Sequence, residues 1–389
     1  MATPTRTHLA DLRGAARLAF DATLGITDLV EKMHRTIQVA PLPLGKPRTD
    51  ATRGITGFVY RSVRGVTELV GRGIDVSLFP LNALLPEGES SATRDALVSV
   101  VNGVYGDHLE RTGNPLAIDM HFRRGGRRLD ERTRAGLFPG ATGRVMLVVH
   151  GLCLNESHWE RDGRSPIDDL AVALGYTPVF LRYNSGRAIA DNGADLAALI
   201  EALLGHWPQP ATELAIVGHS MGGLVARSAV HHGQLGGHAW PRLLRSLVFL
   251  GTPLHGAPLE RGGHRLDYVM ELSPYVAPFT RIGKARSAGI TDLRHGSITA
   301  DQQEFIPLPE GVACHAAAAM LGRTRSVVSD RLVGDGLVPL DSALGRHRDP
   351  ARTFAIPPQH QWVGREMGHL ELLRRPEVYA QIGRWLRAT

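Results

Sequence analysis

Apolar positions recur with different periods on either side of about residue 115. Before it they fall at steps of three and four: Leu9, Leu12, Ala16, Phe20, Leu24 and Ile26, then Leu29, Met33 and Ile37. That is the spacing of one face of a helix. Residues 41–47, rich in proline, end this stretch. Ile55, Val59, Val63, Val66, Val70, Ile74 and Leu78 repeat the stripe. Ser90-Ser91 can cap a further helix to about Leu109. Such stripes pack on one another, on a neighbouring domain or on a lipid interface.

Past residue 116 the period shortens. Ile118, Met120 and Phe122, with Leu129 beyond Gly125-Gly126, predict a hairpin. Val145-Met146-Leu147-Val148-Val149 is continuously apolar, as a strand buried on both faces should be. Comparable runs lie at 178–181, 214–217, 247–250, 312–317 and 353–356. Helical patterns at 167–174, 188–204, 223–232 and 376–386 fall between several of them. This alternation predicts an α/β fold, with a mostly parallel central sheet and helices on both faces. Residues 253–311 break the rhythm and read as a cap or lid insertion. The predicted plan is a helical N-terminal extension over 1–115 and an α/β domain over 116–389.

Composition narrows the function classes. Of 389 residues, 21% are charged and 43% hydrophobic, which excludes wholesale disorder. The formal net charge is +6, carried almost wholly by arginine, since Lys32, Lys46 and Lys284 are the only lysines. No dense basic run accompanies it, so nucleic acid is not an expected partner. Arg53, Arg61, Arg64 and Arg72 interleave the N-terminal stripes, which leaves peripheral membrane contact open. Two cysteines, Cys153 and Cys314, are too few for a disulfide framework and read as small core residues. Asp11, Arg13, Arg17 and Asp21 interrupt any signal-peptide core, and no apolar run reaches 18 residues. The expected location is the cytoplasm.

The chemistry is concentrated in a few short segments. Leu214-Ala215-Ile216-Val217 runs into Gly218-His219-Ser220-Met221-Gly222-Gly223 and then a helical pattern. Gly-x-Ser-x-Gly between strand and helix holds a serine Oγ above the sheet on a strained turn. A serine needs a base, and His369 in Met367-Gly368-His369-Leu370 is the expected one, ahead of His347 and His360. The imidazole needs a carboxylate, and Asp335 in Gly334-Asp335-Gly336-Leu337-Val338-Pro339 fits better than Asp330 or Asp341. Two backbone N–H groups should stabilise an oxyanion: Met221, after the nucleophile, and Leu152, in His150-Gly151-Leu152-Cys153-Leu154-Asn155. The insertion contributes Tyr268, Met270, Tyr275 and Phe279 as candidate substrate contacts. No metal or cofactor constellation stands out, and none is expected.

Residues from about 116 onward resemble bacterial α/β-hydrolases of the lipase and esterase type, in the branch that includes GPI inositol-deacylase-like enzymes. The resemblance rests on the segments around His150-Gly151, Ser220, Asp335 and His369, and on Gly251-Thr252-Pro253-Leu254-His255-Gly256-Ala257-Pro258. It implies hydrolysis of small-molecule or lipid esters through an acyl-enzyme, with no cofactor. An acyltransferase or thioesterase on the same triad is the alternative. A catalytically silent binding protein on this fold is a third reading. The N-terminal helices lie outside the common core, and neither the natural ester nor the oligomeric state is specified.

Overall fold

The computed structural model describes residues 10–21, 24, 91–129, 140–160, 164–257, 287–302, 304–322 and 334–388. They fall into two compact units, one drawn from residues 1–91 and 109–117, the other from 92–108 and 118–389. In the first, a helix α1 spans residues 10–21. Its buried positions are Arg13 and Gly14, whereas Leu12, on the expected apolar stripe, is 58% exposed. The reason is a polar seam. Asn114 Nδ2–H donates to Gly14 O at 3.1 Å, Arg17 donates to Gly113 O at 2.9 Å, and Leu116 packs where a Gly14 side chain would stand. The stripes at 29–37 and 55–78 lie outside the described residues.

The second unit is built on a sheet of strands β1 (His121–Arg124), β2 (Arg127–Arg128), β3 (Arg144–Val149), β4 (Thr177–Arg182), β5 (Glu213–His219), β6 (Leu244–Leu250), β7 (Ala313–Met320) and β8 (Gln361–Arg365). Their order is β2-β1-β4-β3-β5-β6-β7-β8. Only the β1–β2 and β1–β4 pairs are antiparallel. The continuous apolar runs follow from burial on both faces. Leu147, Val149, Ile216, Leu247 and Phe249 pack on one side, with helices α4 (Ile189–Gly205) and α5 (Met221–Leu235). Met146, Val148, Ala215, Val217 and Val248 face the other, against α3 (Pro166–Ala173) and α8 (Pro376–Ala388). The helix α6 (Ala288–His295) and the short α7 (Leu340–Ala343) join the core on the first side.

One expected strand is displaced. Residues 353–356 form no ladder, although Phe354 and Ile356 are buried in the core. The strand beside β7 is Gln361–Arg365, whose half-buried edge position lets it carry Gln361 and Arg365. Apolar residues in a packed loop and polar residues in an edge strand reverse the usual signals.

Helix α2 (Ala92–Arg111) supplies its first seventeen residues to this unit. Its Asp95 joins a buried charge network that ends β4. Arg182 Nε donates to Glu156 Oε2 at 2.7 Å, and Arg182 Nη2 lies 2.6 Å from Glu156 Oε1 and 3.0 Å from Asp95 Oδ2. Arg123 Nη1 lies 3.2 Å from Asp95 Oδ2. Burial pushes the Glu156 carboxyl up, but hydrogen bonding and charge from Arg182, with charge from Arg123, outweigh it and hold the group below its ordinary value. Removing one partner of such a buried set leaves uncompensated charge, so Arg182→Met should cost about 3–5 kcal/mol in chemical denaturation. Because the folded-state value of Glu156 is depressed, its contribution is complete above the unfolded carboxylate value of about 4.3 and is lost as pH falls through the folded value. The stability gap between the parent and Glu156→Gln should be constant at neutral pH and close in acid. A gap that widened in acid would contradict the network.

A cavity of about 400 Å³, lined by Phe305, Leu308, Cys314 and Phe354 among others, opens at the amino end of β7. The carboxyl ends of the strands carry different chemistry.

Candidate active site

β5 delivers Ser220 to the carboxyl edge of the sheet, and α5 begins at the next residue. Ser220 has φ 53° and ψ −125°, a conformation that side chains avoid. It is held there by its N–H donating to Leu250 O at 2.8 Å on the neighbouring strand. The flanking glycines answer to close approach. A Cβ on Gly222 would stand 2.4 Å from Val149 O, and one on Gly218 would stand 2.6 Å from the Gly223 backbone. Among the described residues the other non-glycine residues with positive φ are Cys153 and Glu366. One follows Leu152 and the other precedes His369, so the strain gathers on the three loops that carry the candidate site.

Asp335 and His369 are brought together. His369 Nδ1 lies 2.6 Å from Asp335 Oδ2, and both side chains are buried. The second carboxylate oxygen, Oδ1, accepts the N–H groups of Leu337 at 3.0 Å and Val338 at 2.8 Å. His369 N–H donates to Asp335 O at 3.2 Å, so backbone and side chain lock the pair twice. Gly334 and Gly336 both take positive φ, which lets the loop bring the carboxylate inward. Gly251 has a role the sequence did not declare: a Cβ there would stand 3.0 Å from His369 Cε1. The Gly-Thr-Pro segment thus leaves room for the imidazole.

The competing residues lie elsewhere. His360 Nδ1–H donates to Cys314 O near the start of β7. The His347 ring packs against His255. Asp341 is part of α7. Asp330 lies outside the described residues, as do Tyr268, Met270, Tyr275 and Phe279.

Leu152 lies on the loop after β3, and Met221 follows Ser220 at the first position of α5. Among the described residues neither backbone N–H has an acceptor, whereas Leu154 N–H donates to Gly151 O and Cys153 N–H to Ser185 Oγ at 3.1 Å. Gly151 passes so close that a Cβ would stand 3.0 Å from Ser220 Cβ.

Two buried histidines brace these loops. His219 Nε2–H donates to His369 O at 3.3 Å, with the two rings 4.8 Å apart. Burial, with the neighbouring His369, holds it well below its ordinary value, so it stays neutral. His150 Nδ1–H donates to Gly151 O at 2.9 Å, and its ring stacks on Tyr183. Burial lowers it to about 3. Spacing alone marked neither as a brace, because each partner is distant in sequence or depends on ring orientation.

Residues 181–313 match the family described as PGAP1-like alpha/beta domain. The described residues form an α/β fold on a mostly parallel sheet. The matched segment includes Ser220 and Gly251 but ends before Asp335 and His369. Among solved structures, the mature Bacillus licheniformis lipase BlEst2 is similar at 19% identity, over 62% of this chain and 91% of that one, with a TM-score of 0.43. The Pyrococcus furiosus esterase PF2001 is similar at 16% identity, over 64% and 83%, with a TM-score of 0.40. The NocB thioesterase domain, captured with a fluorophosphonate nocardicin G analogue, is similar at 17% identity, over 64% and 95%, with a TM-score of 0.37. No curated protein sequence matches the chain. Among the described residues no helix is long and apolar enough to cross a membrane, and no group of three or more His, Cys, Asp or Glu residues could hold a metal ion.

Proposed function

We propose that the protein is a serine hydrolase that cleaves carboxylic esters with apolar acyl chains through an acyl-enzyme. One observation carries the reading: the buried His369–Asp335 pair is joined, through the His219 hydrogen bond to His369 O, to the residue preceding a serine held in a strained strand-to-helix turn. With Nδ1–H donated to Asp335, the imidazole presents an unprotonated Nε2. That nitrogen takes the proton of Ser220 Oγ as the oxygen attacks the ester carbonyl. The carbonyl electrons move onto oxygen, where the N–H groups of Leu152 and Met221 stabilise them, each worth roughly 10²–10³ in rate. Collapse expels the alcohol, which takes the proton from His369. Water then repeats the sequence on the acyl-enzyme and releases the acid and free Ser220. No cofactor is required.

The preference for apolar acyl groups rests on the apolar residues of the 264–282 segment, including Tyr268, Met270, Tyr275 and Phe279. A panel of nitrophenyl esters of increasing acyl length tests it, with Ser220→Ala as the control. The expected result is kcat/KM rising with chain length in the parent and background rates in the variant. A profile falling from acetate onward would remove the acyl preference, and equal rates in the variant would remove the mechanism. Adding an alcohol acceptor separates hydrolysis from acyl transfer: release of free acid should persist at its full share of product.

A further inference from the structure

Helix α2 belongs to the segment that the sequence pattern assigned to an N-terminal extension. Its residues 92–106 nonetheless lie against the back of the loop that carries Leu152. Cys153, the next residue, is held at φ 61°. Its Sγ lies 3.8 Å from Val100 O of the helix. Gly103 is where the two backbones meet: a Cβ there would stand 2.3 Å from Cys153 Sγ and 2.9 Å from Cys153 N. One turn earlier on the helix, Ser99 Oγ donates to Asp95 O at 2.8 Å and accepts from Asn155 Nδ2 at 3.2 Å. Asn155 is fully buried, and its Oδ1 accepts the Ser157 N–H at 3.0 Å, which starts the short helical turn Glu156–Trp159. Asp95 and Glu156 then share Arg182. Contacts from three successive turns of α2 therefore reach the loop on both sides of Leu152's neighbours, and none of them touches Ser220, Asp335 or His369.

We infer that α2 is the clamp that preorganises the oxyanion loop, with Ser99, Gly103 and Asn155 as positioning residues for the Leu152 N–H. This rests on the ester-hydrolase reading above. A backbone donor stabilises a transition state only if it already points at the oxyanion when the charge develops. A loop carrying a left-handed cysteine does not hold that geometry unaided. The helix supplies the missing constraint by close approach at Gly103 and by the hydrogen-bond chain Asp95–Ser99–Asn155.

The test separates transition-state stabilisation from folding. Ser99→Ala, Ser99→Thr and Gly103→Ala are compared with the parent for kcat, KM, cooperative unfolding and affinity for an alkyl trifluoromethyl ketone. That probe adds Ser220 Oγ to its carbonyl carbon, leaves the negative charge on oxygen and passes the serine proton to His369. Ser99→Ala should lower kcat and ketone affinity together by about 10-fold, and Gly103→Ala by about 100-fold, with KM within about 3-fold. Ser99→Thr, which keeps the hydroxyl, should stay within about 3-fold of the parent in both. Unchanged kcat and ketone affinity in a folded Ser99→Ala variant would overturn the clamp, as would a loss confined to KM. If Gly103→Ala fails to fold, the Ser99 pair decides. A parent enzyme that binds neither the ketone nor a fluorophosphonate at Ser220 would fail the hydrolase reading itself, and the clamp with it.

Discussion

Ser220→Ala should lower kcat by about 10⁴–10⁶-fold with the fold intact, the range seen when a nucleophile is removed from a triad that acts as a unit. The alanine loses the attacking oxygen but keeps both the backbone that Leu250 O holds at 2.8 Å and the Cβ that is strained at φ 53°, so stability should change little. His369→Ala should cost a similar factor, because Ser220 Oγ then has no base. The double variant should be little worse than either single one. Additive losses would mean that the two residues serve different reactions. A fluorophosphonate gives the chemical counterpart: intact-mass and peptide measurements should find one adduct, on the peptide containing Ser220, and none in Ser220→Ala. Labelling elsewhere with full activity retained would remove Ser220 from the mechanism.

The fold was legible where burial is simple. The runs that became β3 to β7 are buried on both faces, so they read as unbroken apolar strings, and the helices between them read from their stripes. Legibility failed where position in the sheet overrode composition. Gln361–Arg365 pairs with β7 as an edge strand and carries the polar residues an edge tolerates. Phe354 and Ile356, which mimic a strand, are instead loop residues that plug the core. The segments around Ser220, Asp335 and His369 stand out in the sequence because each candidate role constrains its immediate neighbours. Glycines are forced at 218 and 222 by backbone contacts under 3 Å and at 334 and 336 by positive φ. The supporting shell imposes no such local pattern. Arg182 ends an apolar strand, Asp95 lies 87 residues before it, and nothing in the sequence between them reports the 3.0 Å contact. The same holds for Ser99 and Asn155, 56 residues apart. Residues 92–106 therefore read as an appendage, although the sheet unit packs around them.

Asp335→Asn should leave the protein folded and lower kcat by about 10⁴-fold, because it changes which nitrogen of His369 carries the proton. The two oxygens of Asp335 are not equivalent. Oδ1 accepts two backbone N–H groups, from Leu337 and Val338, whereas Oδ2 lies 2.6 Å from His369 Nδ1. An asparagine in this site has one acceptor and one donor end. Turning the NH₂ toward the two N–H groups would oppose donors at two contacts, so the amide oxygen takes that place. The NH₂ group then faces His369 Nδ1 and makes it an acceptor. The imidazole proton moves to Nε2, the nitrogen that must be free to receive the proton of Ser220. Geometry survives and the base is lost. KM should change little, since no substrate contact is removed, and thermal unfolding should stay cooperative. Phosphonylation of Ser220 should slow in parallel with turnover. Asp335→Ala offers the contrast: it removes the acceptor for both N–H groups as well, so it should lose stability along with activity. An Asp335→Asn variant with near-parental kcat would mean that another carboxylate orients His369, and the assignment of Asp335 would fall.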